Sequence, residues 1–476
     1  MNALLAALLL ITGLAVAFAL PEHGPAAVLV CAVLGTAAVA GVHGIKLDRK
    51  FLMQVFAAGL LVRVLVGSLI YGMELQPFFG ADYSVYDNWG YLLLMTWRGE
   101  TQYAGLMDQI TAAGSGWGMN YLVAAVYAVI GRNTLAIQYI NAVVGAATAP
   151  VIYLCAHQIF QNRRVARISA LAVGFYPSLV LWSSQGLKDG PIVFLLALCM
   201  LATLKLGERL SAKYLGVLLL GLFGIFSLRF YIFYMLVTAI AGALIFGMRP
   251  EAKRNVLREF AIIISLGAAL TYMGVLRSAS VHLETFGSLE RVQVSRADLA
   301  RSADSGYGRD TDVSTVGGAL TAIPIGMLYL LFAPFPWQMA NLRQTITLPE
   351  MILWWGSLPV LIVGLWFTLK YRLRQTLPIL LFTSMLTLTY SVMQGNVGTA
   401  YRQRAQLLVF YFIFVAVGYA LLREHAEDRR ARARALKARS AAARPPAPRD
   451  ATAAGRAVPA ARWEPAAREL PRGAGN

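Results

Sequence analysis

Acidic side chains and aromatic rings share one short polar run in an otherwise strongly apolar chain. The run reads GADYSVYDNWG and places Asp82 and Asp87 among Tyr83, Tyr86 and Trp89. A carboxylate walled by aromatic rings at a membrane interface can have its charge tuned and serve as a general base. The same run is also typical of a helix cap within an interfacial aromatic belt. The local sequence leaves both interpretations open.

Two further turns place charges where an anionic ligand would need them. The turn WSSQGLKDGP contains Lys188 and Asp189, which suit an anionic ligand and the orientation of an acceptor or cation, although a capped helix start also explains them. The turn QGNVGTAYRQRAQ brings Arg402 and Arg404 to the start of an apolar segment. Both the helix dipole and the positive-inside rule disfavour arginines there. A bound phosphate would explain that cost.

A fourth basic residue, Arg229, interrupts the apolar run FSLRFYIFY. It is either a ligand-binding residue or an arginine whose charged end snorkels to the membrane surface. Together these turns offer a base and a set of cations. That combination suits glycosyl transfer from a lipid phosphate, because a base activates the acceptor hydroxyl and cations stabilise the departing phosphate.

The elements that position these turns are membrane-spanning helices. The 476 residues are 58% hydrophobic and only 14% charged. Apolar segments of about 20 residues match the thickness of a bilayer. We predict an all-α polytopic membrane protein with about 12 transmembrane helices (range roughly 11–14). The predicted spans are 2–20, 24–43, 51–70, 134–158, 166–183, 190–206, 211–227, 230–248, 258–276, 351–369, 376–392 and 405–422.

Basic residues between these spans indicate the orientation. The net charge of +18 comes largely from short turns and from the C-terminal tail, which favours a topology signal over nucleic-acid binding. If each segment crosses once, the basic turns fall on one side. This pattern predicts a multi-pass protein of the inner or plasma membrane with both termini cytoplasmic. Membrane lipids are then its surroundings.

The spans divide the chain into five parts. Two outer-face segments, 117–131 and 318–336, would reverse the charge pattern if they crossed, so both are predicted to be interfacial or re-entrant. Pro324, Pro334 and Pro336 also oppose a continuous helix in the second. The predicted parts are an N-terminal hairpin (1–50), a transmembrane core (51–276) with a first outer loop (71–133), a second outer loop (277–350), C-terminal spans (351–422) and a disordered basic cytoplasmic tail (423–476).

Cysteine and histidine spacing gives no metal site. The three cysteines lie far apart in apolar segments, and the five histidines form no HExxH-type pair. We therefore predict no protein-built metal cage and no certain cofactor, leaving a divalent cation near the acidic residues open.

The chain resembles a known family at several of these positions. The pattern Asp82-x3-Tyr86 followed by Trp89-Gly90 is similar to the first-loop motif of the GT-C membrane glycosyltransferases, and most similar to their glycosyltransferase 39, protein-mannosyltransferase-like group. The runs NTLAIQYINAVVGAATAPVIYL and QNRRVARISALAVGFYPSLVLWSS, followed by Lys188-Asp189, keep the order of that family. The resemblance covers residues 51–210, and the YRQRAQ turn more loosely. Ala81-Asp82 stands where the family has paired acidic residues, and two extra spans precede the family core.

The resemblance implies a GT-C fold with outer-face loops and interfacial helices. It also implies an inverting transfer of a sugar from a polyprenyl-phosphate donor to a glycan, lipid or protein acceptor on the outer face. Asp82 then matches the base position, with Asp87 as the alternate, and Asp189 matches the second-loop acid. The substrate-binding candidates are Tyr86, Lys188, Arg229, Arg402 and Arg404.

Two other functions compete with this one. A polysaccharide polymerase or ligase of the O-antigen type also acts on polyprenyl-linked sugars outside the cell, but it relies on outer-face arginines and does not need Asp82. A lipid-linked sugar transporter is expected to show internal repeats or charges in the middle of spans. The sequence shows neither clearly.

Overall fold

The protein is a bundle of α-helices. The computed structural model describes residues 3–80, 82–103, 105, 116–248, 256–272, 275, 287–301, 305–339 and 341–442. Within these residues, β structure amounts to one isolated bridge between Gly306 and Asn396. The α-helices are α1 Ala3–Ala19, α2 Gly24–His43, α3 Arg49–Gly72, α4 Gln76–Phe79, α5 Asp82–Trp97, α6 Trp117–Ile130, α7 Thr134–Phe160, α8 Arg163–Phe175, α9 Pro177–Ser183, α10 Asp189–Glu208, α11 Ala212–Leu228, α12 Phe230–Phe246, α13 Val256–Tyr272, α14 Leu289–Arg301, α15 Val316–Phe332, α16 Leu342–Thr345, α17 Leu348–Tyr371, α18 Leu373–Met393, α19 Val397–Gln403 and α20 Ala405–Ala442.

Many of these helices can cross a bilayer. Among the described residues, seven are long and apolar enough, namely α2, α3, α7, α10, α17, α18 and the Ala405–Leu436 part of α20. The bent pair α8 and α9 adds an eighth if it is one span. Shorter apolar helices include α1, α6, α11, α12 and α15. The predicted all-helical polytopic fold is confirmed, while the number of crossings stays a prediction.

Helix α7 lies at the centre of the N-terminal half. It packs against α2, α3, α8 and α10. Small residues let these helices approach closely, as is common inside membranes. A Cβ added at Gly145 would lie 2.4 Å from the Cβ of Ser183, so this position has no room for a larger residue. The close contact fixes the end of α9 against α7.

The predicted span 166–183 is broken in the structure. Helix α8 ends at Phe175, and α9 starts at Pro177 with a bend of 54°. Proline supplies no N–H to continue the helix. The buried guanidinium of Arg63 donates to the carbonyl of Gly174 at 2.8 Å and to the hydroxyl of Ser183 at 2.7 Å. Arg63 therefore holds both halves of the break and sets the position of the turn that follows α9.

The predicted helix break at Pro324 is wrong. Helix α15 runs continuously from Val316 to Phe332 with Pro324 inside it, and it packs along α18. A Cβ added at Gly326 would lie 1.8 Å from the carbonyl oxygen of Ser391, so the two backbones are in close contact. We attribute the continuity to this packing, which compensates for one lost helical hydrogen bond. Whether α6 and α15 cross the membrane stays a prediction.

The tail also differs from its prediction. Its described part, 423–442, belongs to helix α20 instead of being disordered. Alanine, arginine and glutamate favour helix, and the tail has no proline before Pro445. An i,i+4 pair between Arg423 and Glu427, at 2.9 Å, adds to this preference. Residues 443–476 lie outside the described residues.

Candidate active site

One large cavity lies where several helix ends meet. Its volume is about 800 Å³. The start of α5, the turn before α10, the junction of α11 and α12, and helix α19 all contribute to its wall. The charged residues that line it are Asp82, Lys188, Arg229, Arg343 and Arg402. Residues from five separate parts of the chain thus share one chamber.

Arg402 joins the two predicted acidic residues. Its Nη1 atom donates to Oδ2 of Asp82 at 2.7 Å, and its Nε atom donates to Oδ2 of Asp189 at 2.7 Å. The Arg402 side chain is mostly buried, and helix α19, which carries it, is capped by the side chain of Asn396. A single guanidinium therefore fixes the spacing of two carboxylates that are 107 positions apart.

Asp189 lies behind the cavity wall between two arginines. Its side chain is 1% exposed, and Oδ1 lies 3.4 Å from Nη2 of Arg229. Arg229 is the single residue between α11 and α12 and has an extended backbone. Its Nη1 atom donates a hydrogen bond to the hydroxyl of Tyr231. A buried charge is tolerated only when it is paired in this way. Asp189 is thus placed to orient Arg229 and Arg402 and lies away from the open chamber.

Lys188 adds a third cation beside this pair. Its ammonium group lies 5.8 Å from the ring centre of Tyr86, and a Cβ added at Gly116 would come within 2.9 Å of it. Burial, followed by the charge of Arg229, lowers the pKa of Lys188 to about 8. The cations Lys188, Arg229 and Arg402 therefore outnumber the carboxylates Asp82 and Asp189, and this surplus favours an anionic ligand such as a phosphate.

The lowered pKa of Lys188 predicts a pH dependence. The ammonium is charged below pH 8 and loses its proton as the pH rises through about 8, well below the range of an ordinary lysine. If its charge binds the donor, kcat/KM for the donor should fall above that pH, because this ratio reports ionisation in the free protein. Lys188→Arg should keep kcat/KM flat between pH 7 and 10. A fall of the same size in Lys188→Arg would contradict the assignment.

Two sequence candidates lie away from this chamber. Asp87 accepts hydrogen bonds from Tyr127 at 2.7 Å and from Nε of Arg132 at 3.0 Å. Arg404 is 1% exposed, and its guanidinium donates to backbone carbonyls, including that of Leu330 at 2.7 Å. Neither residue lines the cavity. The geometry therefore favours Asp82 over Asp87 as the base and Arg402 over Arg404 as the phosphate ligand.

Sequence reasoning did not single out several wall residues. The guanidinium carbon of Arg402 lies 5.8 Å from the ring centre of Trp182, and Arg343 lies over the ring of Phe78. Tyr401 donates to the buried carboxylate of Glu350 at 2.8 Å. Glu350, the partner of Tyr401, had a signal in the sequence, because it lies in the first turn of a long apolar helix and acidic residues in such segments mark polar sites.

The described residues around the chamber offer no cluster of ligands for a divalent cation. No group of three or more His, Cys, Asp and Glu side chains in the described part of the chain is placed to hold a metal ion. The nearest carboxylates, Asp82 and Asp189, already share the guanidinium of Arg402. The charges of both carboxylates are therefore already paired with arginine side chains.

Comparison with known families agrees with the sequence resemblance. Residues 116–274 match the family model described as dolichyl-phosphate-mannose-protein mannosyltransferase. The chain therefore contains a region that is similar to this protein-mannosyltransferase family. Lys188, Asp189 and Arg229 lie inside this mannosyltransferase-like region, whereas Asp82 and Arg402 lie outside it. The predicted resemblance to the GT-C glycosyltransferases is confirmed, and the roles of individual residues stay proposals.

Two solved structures are similar at a lower level. The archaeal oligosaccharyltransferase AglB from Archaeoglobus fulgidus, in complex with an inhibitory peptide and a dolichol-phosphate, is 16% identical, with a TM-score of 0.36 over 68% of this chain and 44% of that chain. A crystal structure of the Archaeoglobus fulgidus oligosaccharyltransferase in the apo form is 14% identical, with a TM-score of 0.38 over 80% of this chain and 52% of that chain. This chain thus spans about half the length of both. No curated protein matches it.

Proposed function

We propose that the protein transfers a sugar from a polyprenyl-phosphate donor to an acceptor hydroxyl at the outer face of a membrane, with inversion at the sugar. The observation that carries this proposal is that Asp82 and Arg402 line one cavity and that Asp189, buried behind its wall, holds the same arginine. The matched family model, whose description names a dolichyl-phosphate sugar, supports the same class of donor. The acceptor is a glycan, a lipid or a protein.

The chemistry assigns one task to each side of the chamber. Asp82 removes the proton from the acceptor hydroxyl, whose oxygen attacks the anomeric carbon. The bond from that carbon to the phosphate oxygen breaks, and polyprenyl phosphate leaves with the electron pair. Arg402 and Lys188 hold the charge that develops on the phosphate, and Tyr86 packs beside Lys188. Attack opposite the leaving phosphate gives the inverted product.

Asp82 fits the role of base because its side chain is exposed to the cavity. Its side chain is 53% exposed at the cavity wall, whereas Asp189 is 1% exposed behind it. An acceptor must come within hydrogen-bond distance of the base. Only the more exposed of these two carboxylates meets that requirement, so Asp189 acts by positioning the arginines.

The proposal includes an orientation. The cavity residues lie after the C-terminal end of α3, whereas Asp48 and Arg167 pair at 2.8 Å at its N-terminal end. Basic residues accumulate on the cytoplasmic side of membrane proteins. We therefore assign the Asp48 end to the cytoplasm, together with both termini, and the cavity to the outer face of the inner or plasma membrane.

Titrations of arginine variants with polyprenyl phosphate, the leaving group of the donor, test the phosphate site. Arg402→Ala should weaken the binding of polyprenyl phosphate by roughly 10- to 150-fold, equivalent to about 1.5–3 kcal/mol for a lost charged hydrogen bond. Arg402→Lys should rescue only part of the loss, because lysine keeps the charge but lacks the planar fork. Purified protein in lipid nanodiscs and a short-chain polyprenyl phosphate suffice for the measurement.

A matched control separates this effect from general damage. Arg167 also binds an aspartate through two atoms, Nε and Nη2, at the opposite end of the bundle. Arg167→Ala should leave donor affinity unchanged. Wild-type donor affinity in Arg402→Ala would show that this arginine only anchors the structure, and would move the phosphate site to Lys188 and Arg229.

A further inference from the structure

We propose that the donor phosphate takes the place of Asp82 on Arg402, so that the base is released only after the donor has bound. This inference rests on the proposed function and deepens it. In the structure, the candidate base is held by the same guanidinium that is proposed to bind the phosphate. The two roles compete for one atom, Nη1 of Arg402.

The two contacts of Arg402 differ in strength. On the Asp189 side, Nε and Nη2 lie 2.7 Å and 2.5 Å from the same carboxylate oxygen, and that carboxylate is buried. On the Asp82 side a single nitrogen makes the contact, and the carboxylate is about half exposed. Exposed ion pairs contribute little stability, whereas buried pairs are costly to break. An incoming anion therefore displaces Asp82 and leaves Asp189 in place.

A phosphate is well matched to the vacated position. The guanidinium presents a planar set of donors that suits phosphate oxygens. Lys188 and Arg229 line the same cavity and add attraction for the anion. Once released, Asp82 can accept the proton of the acceptor hydroxyl. Binding is then ordered, with the donor first, and an acceptor that arrives alone meets a base that is still engaged.

Competition for Arg402 predicts that removing the candidate base strengthens phosphate binding. Asp82→Asn should bind polyprenyl phosphate more tightly than the wild type, by roughly 2- to 5-fold, the size of an exposed ion pair. The probe is a short-chain polyprenyl phosphate without a sugar, titrated into the full-length protein in nanodiscs. Equal or weaker binding in Asp82→Asn would overturn the proposal.

Three control measurements test whether competition for Arg402 causes the gain in affinity. In an Arg402→Gln background, Asp82→Asn should give no gain, and a gain of the same size there would indicate simple charge repulsion and overturn the competition. Asp48→Asn, which loses an aspartate paired to Arg167, should leave affinity unchanged. The matching polyprenol, which lacks phosphate, should bind wild type and Asp82→Asn equally. A difference with polyprenol would also overturn the proposal.

The same variant keeps this inference separate from the proposed function. Sugar transfer is measured independently of polyprenyl phosphate binding. Tighter binding together with normal transfer by Asp82→Asn would preserve the competition but remove Asp82 as the base. Lost transfer without tighter binding would preserve the base and overturn the competition.

Discussion

Asp82→Asn is expected to fold normally and to lose sugar transfer by about 10²–10⁴-fold, the range that general bases contribute. The carboxamide has nearly the same shape but cannot accept the proton of an acceptor hydroxyl. The Asp82 side chain is half exposed, and Arg402 keeps its contact with the buried Asp189, so the substitution leaves no buried charge without a partner. The measurement is the initial rate of product formation from a polyprenyl-phosphate sugar, normalised to the amount of folded protein.

The neighbouring carboxylate provides the comparison. Asp87 is held by Tyr127 and Arg132 outside the cavity, so Asp87→Asn should lose far less transfer than Asp82→Asn. The opposite ranking would mean that Asp87 is the base. Full activity in both variants would exclude an aspartate base in this run and favour the O-antigen-type polymerase or ligase, which does not need Asp82.

The second large effect is expected at Asp189. Replacement by alanine leaves Arg229 and Arg402 without their buried counter-charge, and losing one partner of a buried pair costs about 3–5 kcal/mol. Asp189→Ala should therefore lower the midpoint of thermal unfolding and reduce transfer together. Asp189→Asn, which keeps the shape, should fall in between.

A double variant tests whether unpaired charge is the cause. Removing the guanidinium as well, in Asp189→Ala with Arg402→Gln, should recover part of the lost stability although transfer stays low. If Asp189→Ala unfolds at the wild-type temperature, the account of Asp189 as the buried anchor of the two arginines is contradicted.

Hydropathy and charge predicted much of this architecture. Helices α2, α3, α7 and α10 lie within a few residues of their predicted bounds, because a bilayer demands long apolar segments whatever their partners are. The break at Pro177 and the continuous helix through Pro324 were harder to predict, because a proline is present in both places but ends a helix only in the first. Arg63 stabilises the break by donating a hydrogen bond to the carbonyl of Gly174, and close packing of Gly326 on Ser391 stabilises the continuous helix. Neither partner is near in sequence.

The candidate site shows the same limit. Charges in short turns and apolar runs drew attention to Lys188, Asp189, Arg229, Arg402 and Arg404. The structure brings the first four together near Asp82, whereas Arg404 binds backbone carbonyls away from the cavity. The sequence left Asp82 and Asp87 as alternatives because both lie in one run among the same aromatic residues. What separates them is a partner 45 positions away, Arg132, which pairs with Asp87. Such tertiary pairing leaves no local signal.

The most direct test of the central claim is the release of polyprenyl phosphate. Purified wild-type protein in nanodiscs is mixed with an acceptor-containing membrane extract and, in turn, with a panel of polyprenyl-phosphate sugars, and free polyprenyl phosphate is measured over time beside Asp82→Asn. The account predicts release from at least one donor with the wild type, with inversion at the transferred sugar, and almost none with Asp82→Asn. Release at equal rates from both proteins, or from neither with any donor, would contradict it.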